Sequence, residues 1–149
     1  MTTLEQNKQL VRHAITAGVN GADLDVFREV LHPDYARHSQ ATTDMPEIRG
    51  VEQMLEFLRT TFATFPDWHE DIQLMIAEGP YVACITRGTG TQKGAMGDVP
   101  PTGRKIDVMN FIFQRIADGK IAETWIGWDN LTAMAQLGLL PTPNLDGPP

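Results

Sequence analysis

Cysteine is almost absent from this chain of 149 residues, which contains only Cys84. One cysteine excludes an internal disulfide and any metal site built from several thiolates. Long apolar runs are also missing, and none approaches the ~18 residues that a membrane span requires. Residues 1–8 lack the apolar core of a secretory signal peptide. We therefore expect a cytoplasmic protein that does not bind or cross a membrane.

Positive charge is scarce, with 12 Lys and Arg against 19 Asp and Glu and a formal net charge of −7. This balance argues against nucleic acid or an anionic membrane as the main partner. The chain has no glycine-rich phosphate loop, no His-x-x-x-His pair and no serine-centred nucleophile elbow. We therefore predict no metal and no organic cofactor.

The composition is that of an ordinary globular protein, with 42% hydrophobic and 21% charged residues. The length suits one domain with a buried core. We expect this domain to occupy residues 1–140 and to be followed by a flexible tail, residues 141–149.

Apolar residues recur at helical spacing in the first half of the chain. They predict helices over residues 3–17, 24–31 and 50–65. Gly18 is a plausible stop for the first helix, and Asp23 is a plausible cap for the second. A short extended piece, Tyr35 to His38, and a polar loop, residues 41–50, are expected between the second and third helices.

The second half changes to the alternating pattern of β-strands. Asp118-Gly119 predicts a tight hairpin turn between the last two strands. Helices followed by strands indicate an α+β domain whose helices cover one face of a curved antiparallel sheet. The predicted strands are residues 68–77, 81–92, 106–116 and 120–128, and a short helix over 130–137 follows.

Several local phrases, spread in order along the chain, carry a family resemblance. They are His32-Pro33-Asp34-Tyr35, Phe65-Pro66-Asp67, Pro100-Pro101-Thr102-Gly103-Arg104, Asp118-Gly119-Lys120-Ile121-Ala122-Glu123 and Trp128-Asp129. With the order of elements, this set resembles the SnoaL-like polyketide cyclase family of the nuclear-transport-factor-2-like fold. The resemblance implies a cone-shaped domain around one apolar pocket, and intramolecular aldol chemistry without a metal or organic cofactor.

The resemblance also assigns positions to the site. Alignment without gaps places the catalytic aspartate of the cyclases at Ile126 and their partner histidine at Ile112. Isoleucine transfers no proton, so either the aldol mechanism is absent or another group performs it. Other pocket positions of the family fall at Asn110, Thr124 and Arg37.

Strand alternation provides a separate prediction of facing. Val108, Asn110 and Ile112 should face the pocket, as should Ala122, Thr124, Ile126 and Trp128. The other face would carry Asp107, Met109, Phe111 and Phe113, with Ile121, Glu123, Trp125 and Gly127. Because that outer face is largely apolar, we expect a homodimer through it.

Asp129 and His38 are the candidates for proton transfer. Asp129 could equally cap the last helix, and His38 could be a surface histidine. Asn110 and Gln92 could orient a carbonyl, while Trp128 could form a pocket wall. Arg37 could bind a carboxylate or an enolate, or it could form a surface salt bridge.

These residues predict an enzyme that performs proton-transfer chemistry of the cyclase, isomerase or dehydratase type. Its substrate would be an apolar metabolite with a carbonyl group. Two alternatives remain open. The first is a non-catalytic domain that binds a small ligand, as Ile112 and Ile126 suggest, and the second is an epoxide hydrolase-like enzyme.

Overall fold

The computed structural model describes residues 2–42 and 45–140, so the predicted tail, residues 141–149, lies outside the described residues. Within these ranges the chain forms four α-helices and six strands. The helices are α1 (Leu4–His13), α2 (Leu24–Val30), α3 (Val51–Thr64) and α4 (Asn130–Gln136), and a π-helical segment, Ala14–Val19, continues α1. The strands are β1 (Leu31–His38), β2 (Glu47–Arg49), β3 (His69–Glu78), β4 (Tyr81–Thr91), β5 (Lys105–Ala117) and β6 (Lys120–Trp128).

The six strands form one mixed sheet in the order β2-β1-β6-β5-β4-β3. Neighbouring strands are antiparallel except β1 and β6, which are parallel. The α+β class is therefore confirmed, but the expectation of a wholly antiparallel sheet is wrong at this pair. One helix and four strands lie between β1 and β6 in the chain, which provides the long connection that parallel pairing needs.

The first helix starts where the sequence predicts and ends later. Thr3 and Gln6 form a capping box, with the Gln6 N–H donating to Thr3 Oγ1 at 3.1 Å. Gly18 does not stop the helix, because the π-helical segment runs on to Val19. A Cβ at Gly18 would lie 2.8 Å from the Phe27 ring, so this glycine allows α2 to approach.

The later helices agree with the sequence. Asp23 caps α2, as predicted, through a hydrogen bond from the Asp25 N–H. The helix predicted over residues 50–65 is confirmed as α3. Gly50 precedes it with φ +83, a conformation that glycine adopts without strain.

Bulges in two strands change which side chains face inward. In β6, Arg115 pairs with Glu123 but Ile116 pairs with Ile121, which leaves Ala122 as an extra residue. Ile121 is consequently buried, so the prediction that it faces outward is wrong. In β3, Gln73 is the extra residue, and Leu74 and Ile76 become exposed after it.

The main core lies between the helices and the inner face of the sheet. Its fully buried members include Val11 of α1, Leu55 of α3 and Ile121 of β6. The strand β2, which the sequence did not predict, pairs with the edge of β1 and buries Ile48 in this core. Among the described residues, no helix combines the length and apolar character needed to cross a membrane.

Candidate functional site

A cavity of about 890 Å³ lies against this core. Its walls come from the π-helical segment, α2, α3, α4 and the strands β1, β3, β5 and β6. Most of the lining side chains are apolar, which suits a small apolar ligand. Buried polar side chains also line it, namely Tyr35, Arg37, Glu70, Asn110 and Thr124, together with the partly buried Gln114.

Glu70 is a buried carboxyl group in the wall of this cavity. Its Oε1 accepts a hydrogen bond from Trp68 Nε1 at 3.1 Å, and its Oε2 accepts one from Thr86 Oγ1 at 3.2 Å. Asn110 Nδ2 in turn donates to Thr86 Oγ1 at 3.2 Å. This chain of donors holds both carboxyl oxygens in place.

The backbone of Glu70 is held by the residue that follows the π-helical segment. The Glu70 N–H donates to Asn20 Oδ1 at 2.8 Å, and Asn20 Nδ2 donates to the Glu70 carbonyl at 2.9 Å. Asn20 thus replaces a strand partner at the edge of β3. π-helical turns are frequent at functional sites. This one ends at Val19 and so places Asn20 against the backbone of Glu70.

Two glycines of β4 make room for Trp68, the indole donor to Glu70. A Cβ at Gly88 would lie 2.7 Å from Trp68 Cζ2, and one at Gly90 would lie 2.9 Å from Trp68 Cε3. Gly88 and Gly90 are therefore close-packing positions against the indole.

The electrostatics around Glu70 favour its neutral form. Burial raises the pKa of this carboxyl, while the hydrogen bonds from Trp68 and Thr86 and the charges of Arg37 and His69 oppose that rise. A buried carboxyl with a raised pKa in a cavity wall is a candidate for taking and returning a proton.

Arg37 and Tyr35 lie on the cavity side of β1. The guanidinium carbon of Arg37 lies 4.4 Å from the centroid of the Phe57 ring. Burial raises the pKa of the Tyr35 phenol to about 12, against smaller opposing effects of the Thr124 hydroxyl and the Arg37 charge. Tyr35 therefore stays protonated and can act as a hydrogen-bond donor.

Six of the nine candidate site residues line the cavity. Strand alternation places Ile112 and Ile126 there as directly paired residues of β5 and β6. The two isoleucines form part of the apolar wall and carry no group that can transfer a proton. The other four are Asn110, Thr124, Arg37 and Trp128.

Asp129 lies outside the cavity lining and caps α4. Its Oδ1 accepts from the Thr132 N–H at 3.0 Å, and its Oδ2 accepts from Thr132 Oγ1 at 2.5 Å. These hydrogen bonds lower the pKa of the exposed carboxyl. The geometry thus matches the capping alternative, and the expectation of a catalytic Asp129 is not supported.

His38 lies with Trp125 of the outer face, because it follows Arg37 in β1 and strand alternation turns it away from the cavity. Its Nε2 is 2.7 Å from Glu123 Oε2 and its Nδ1 is 3.4 Å from Glu47 Oε1. Its ring stacks on Trp125 with centroids 5.6 Å apart. The expectation that His38 acts as a base at the pocket is therefore not supported.

Gln92 is fully buried but is not a lining residue. Its Oε1 accepts from Thr102 Oγ1 at 2.7 Å, and its Nε2 donates to the carbonyls of Gly94 and Pro100 at 3.3 and 3.4 Å. All of these partners belong to the loop between β4 and β5. Gln92 therefore holds that loop, and the expected substrate contact is not found.

The residues that sequence reasoning missed are Glu70, Tyr35 and Gln114. A signal for Glu70 existed, since it lies two residues before Ile72 and shares its side of the strand. A carboxylate on the apolar side of a strand is costly unless it is paired or functional.

Comparisons with known proteins agree with this architecture. The search of curated proteins found no match. A proposed SnoaL-like polyketide cyclase from Jannaschia sp. CCS1 superposes with a TM-score of 0.84 at 27% identity, covering 95% of this chain and 97% of its own. IdmH, a proposed polyketide cyclase from Streptomyces antibioticus, is 32% identical, with a TM-score of 0.76 and coverage of 89% and 99%.

AclR, a proposed hydroxylase from Streptomyces galilaeus, is 26% identical with a TM-score of 0.82, covering 97% of this chain and 93% of its own. The family model described as SnoaL-like polyketide cyclase matches residues 9–137. This span includes every element from the end of α1 to α4. The chain therefore belongs to the SnoaL-like polyketide cyclase family.

Proposed function

We propose that this protein is an enzyme that transfers protons on an apolar, carbonyl-bearing small molecule, with Glu70 as its acid–base group. The observation that carries the proposal is a buried carboxyl with raised pKa, held by two hydrogen bonds in the wall of an apolar cavity. The SnoaL-like family is one of small-molecule enzymes, and this site is consistent with that class.

The proposed step is removal of a proton from the carbon next to the carbonyl. Ionised Glu70 takes the proton, and the electron pair of the broken C–H bond moves into an enolate. The Tyr35 hydroxyl, which stays protonated, is the donor available to stabilise the enolate oxygen. Protonated Glu70 then returns its proton to a carbon or oxygen atom of the same molecule, which completes an isomerisation, or assists ring closure or loss of water.

A second candidate is a binding domain without catalysis, since Ile112 and Ile126 occupy the wall where the resemblance places the acid–base pair of the cyclases. The two candidates differ in one measurable property. A catalyst exchanges the α-protons of a suitable ketone with heavy water, whereas a binding domain does not accelerate that exchange.

The test is exchange of the α-protons of β-tetralone in heavy water, followed by NMR. We expect the rate to rise with pH as Glu70 loses its proton, with a midpoint above the ordinary value of 4.5 for glutamate. The sign follows because the ionised carboxylate is the base, and burial delays its formation. Exchange rates measured between about pH 4 and pH 9 would define this rise with pH.

His69 is adjacent to Glu70 in the chain, so its contribution to the exchange rate must be separated from that of Glu70. It is exposed and its Nε2 lies 3.0 Å from Asp71 Oδ1. The exchange rate of the His69→Gln variant should still rise with pH, whereas that of Glu70→Gln should not. If wild-type protein exchanges protons no faster than buffer does, the binding domain is favoured. If the rise of the exchange rate with pH disappears in His69→Gln, the role of Glu70 is refuted.

We further propose that two copies associate through the outer face of the sheet. Phe111, Phe113 and Met109 of β5 and Trp125 of β6 are between 37% and 55% exposed there. The strand register aligns Ile76, Ala83, Phe113 and Trp125 in one row across four strands. A continuous apolar row of this kind is self-complementary about a twofold axis and is unfavourable in water.

The double variant Phe111→Glu, Phe113→Glu should yield monomers, because it places four carboxylates in the proposed interface of a dimer. Sedimentation equilibrium is the measurement. The control is Leu131→Glu, which changes an exposed apolar residue of α4 and should leave the mass unchanged. A monomeric wild type would contradict the proposal.

A further inference from the structure

Arg37 places a buried guanidinium in the cavity wall. Arg37 is 4% exposed, and Nη1 is buried with no donor–acceptor contact to the described residues. Within residues 2–42 and 45–140, no carboxylate lies within salt-bridge distance of it. A buried charge in this state is unfavourable unless something in the site accepts its hydrogen bonds.

The ring of Phe57 offsets only part of this penalty. It lies 4.4 Å from the guanidinium carbon and attracts the positive charge. A ring face, however, accepts no bidentate hydrogen bonds from the planar fork of an arginine. The N–H groups of Nη1 therefore lack an acceptor among the described residues.

Neither of the two described glutamates that line the cavity forms a salt bridge with Arg37. Glu70 is the buried carboxyl among the described lining residues, and burial favours its protonated form. Glu56 lies at the exposed surface of α3 and pairs with Arg59 at 3.1 Å. Arg37 is thus the one positively charged side chain among the described lining residues, although the chain as a whole has a net charge of −7.

We propose that the cavity takes an apolar, ring-containing carboxylate, whose two oxygens accept hydrogen bonds from Arg37. This inference rests on the proposed function, since it names the class of molecule on which Glu70 acts. Arg37 is the anchor for the carboxylate in this arrangement, and the apolar walls bury the remainder of the molecule. Planar guanidinium and carboxylate groups match in geometry, and desolvation strengthens their pairing.

Calorimetric titration can test the charge preference directly. The probes are β-naphthoate, its methyl ester and its primary amide, which share one ring system and differ in charge. We expect wild-type protein to bind the carboxylate about 10-fold or more tightly than either neutral probe. Without Arg37 the carboxylate should bind no more tightly than the ester, because a carboxylate loses more hydration than an ester on entering an apolar cavity.

Two substitutions at Arg37 assign the preference to this side chain. Arg37→Gln should abolish it while retaining ester binding, and Arg37→Lys should retain part of it because the charge remains. The matched control is Arg115→Gln, which removes an arginine that pairs with Glu123 instead of lining the cavity. That control should keep the full preference.

The outcomes separate this inference from the proposed function. Glu70→Gln should retain the carboxylate preference, because its effect is on proton transfer and not on the anchor. The inference is overturned if wild-type protein binds the ester or amide as tightly as the carboxylate, including the case in which none of the three binds. It is also overturned if folded Arg37→Gln keeps the preference. Wild-type protein that shows the preference but exchanges α-protons no faster than buffer would refute the proposed function alone.

Discussion

Replacing Glu70 with glutamine is expected to slow the exchange of β-tetralone protons by about 10²–10⁴-fold, the usual contribution of a general acid or base. Glutamine keeps the shape of glutamate and can still accept the hydrogen bond from Trp68 or Thr86. It cannot take a proton from carbon. The loss should therefore appear in the rate of exchange at saturation, with little change in the affinity for neutral ligands.

The same variant should be more stable than the wild type at neutral pH. Burial raises the pKa of Glu70 in the folded state, so the folded protein binds this proton more strongly than the unfolded chain does. Stability from this group is therefore present at low pH and is lost as pH rises through the raised pKa. Glutamine removes that loss, so the difference in Tm should be positive near about pH 7 and should shrink near about pH 4.

Glu56→Gln is the matched control, because it neutralises a carboxylate that borders the cavity but is exposed to solvent. It should leave both exchange and Tm close to the wild-type values. If Glu70→Gln exchanges at the wild-type rate, another group is the base. If it unfolds more readily at neutral pH, the carboxylate is part of a stabilising network.

Replacing Gly88 with alanine should damage both stability and proton exchange. The added Cβ would lie 2.7 Å from Trp68 Cζ2 and 2.9 Å from Asn110 Nδ2. Overpacking of this kind reduces the free energy of unfolding by about 1–3 kcal/mol. Because the indole must move, its hydrogen bond to Glu70 is lost, and exchange should fall by about 10-fold or more.

Gly127→Ala is the control for this prediction. Gly127 lies in the neighbouring part of the same sheet, where an added Cβ meets no atom within 4 Å. Urea unfolding and the exchange assay should therefore report little change there. A Gly88→Ala protein with unaltered stability and exchange would mean that Trp68 relaxes freely and does not hold Glu70.

The regular parts of the fold could be predicted because their patterns are local. Helical spacing predicts α3, and the Asp118-Gly119 turn forms with both residues at positive φ, as a tight hairpin requires. Alternation along β5 correctly separates Asn110 and Ile112, which line the cavity, from the exposed Phe111 and Phe113.

The candidate site was less predictable, because it depends on contacts between distant segments. Alternation fails at Ile121 and beyond Ile72, where single extra residues shift the register. Glu70 lies in a polar stretch that resembles an exposed strand start. Its burial depends on Asn20 and Trp68, and no local pattern in the sequence links Asn20 to β3.

The parallel pairing of β1 with β6 has a consequence for folding. Arg37 pairs with Thr124, so the strand that carries Arg37 and Tyr35 gains its central neighbour only after most of the chain is available. Contacts between such distant segments close large loops and slow folding. During synthesis on a ribosome, β1 cannot pair with β6 until β6 has been made. The hairpin of β3 and β4 can form earlier, and the completed cavity is expected among the last features to appear.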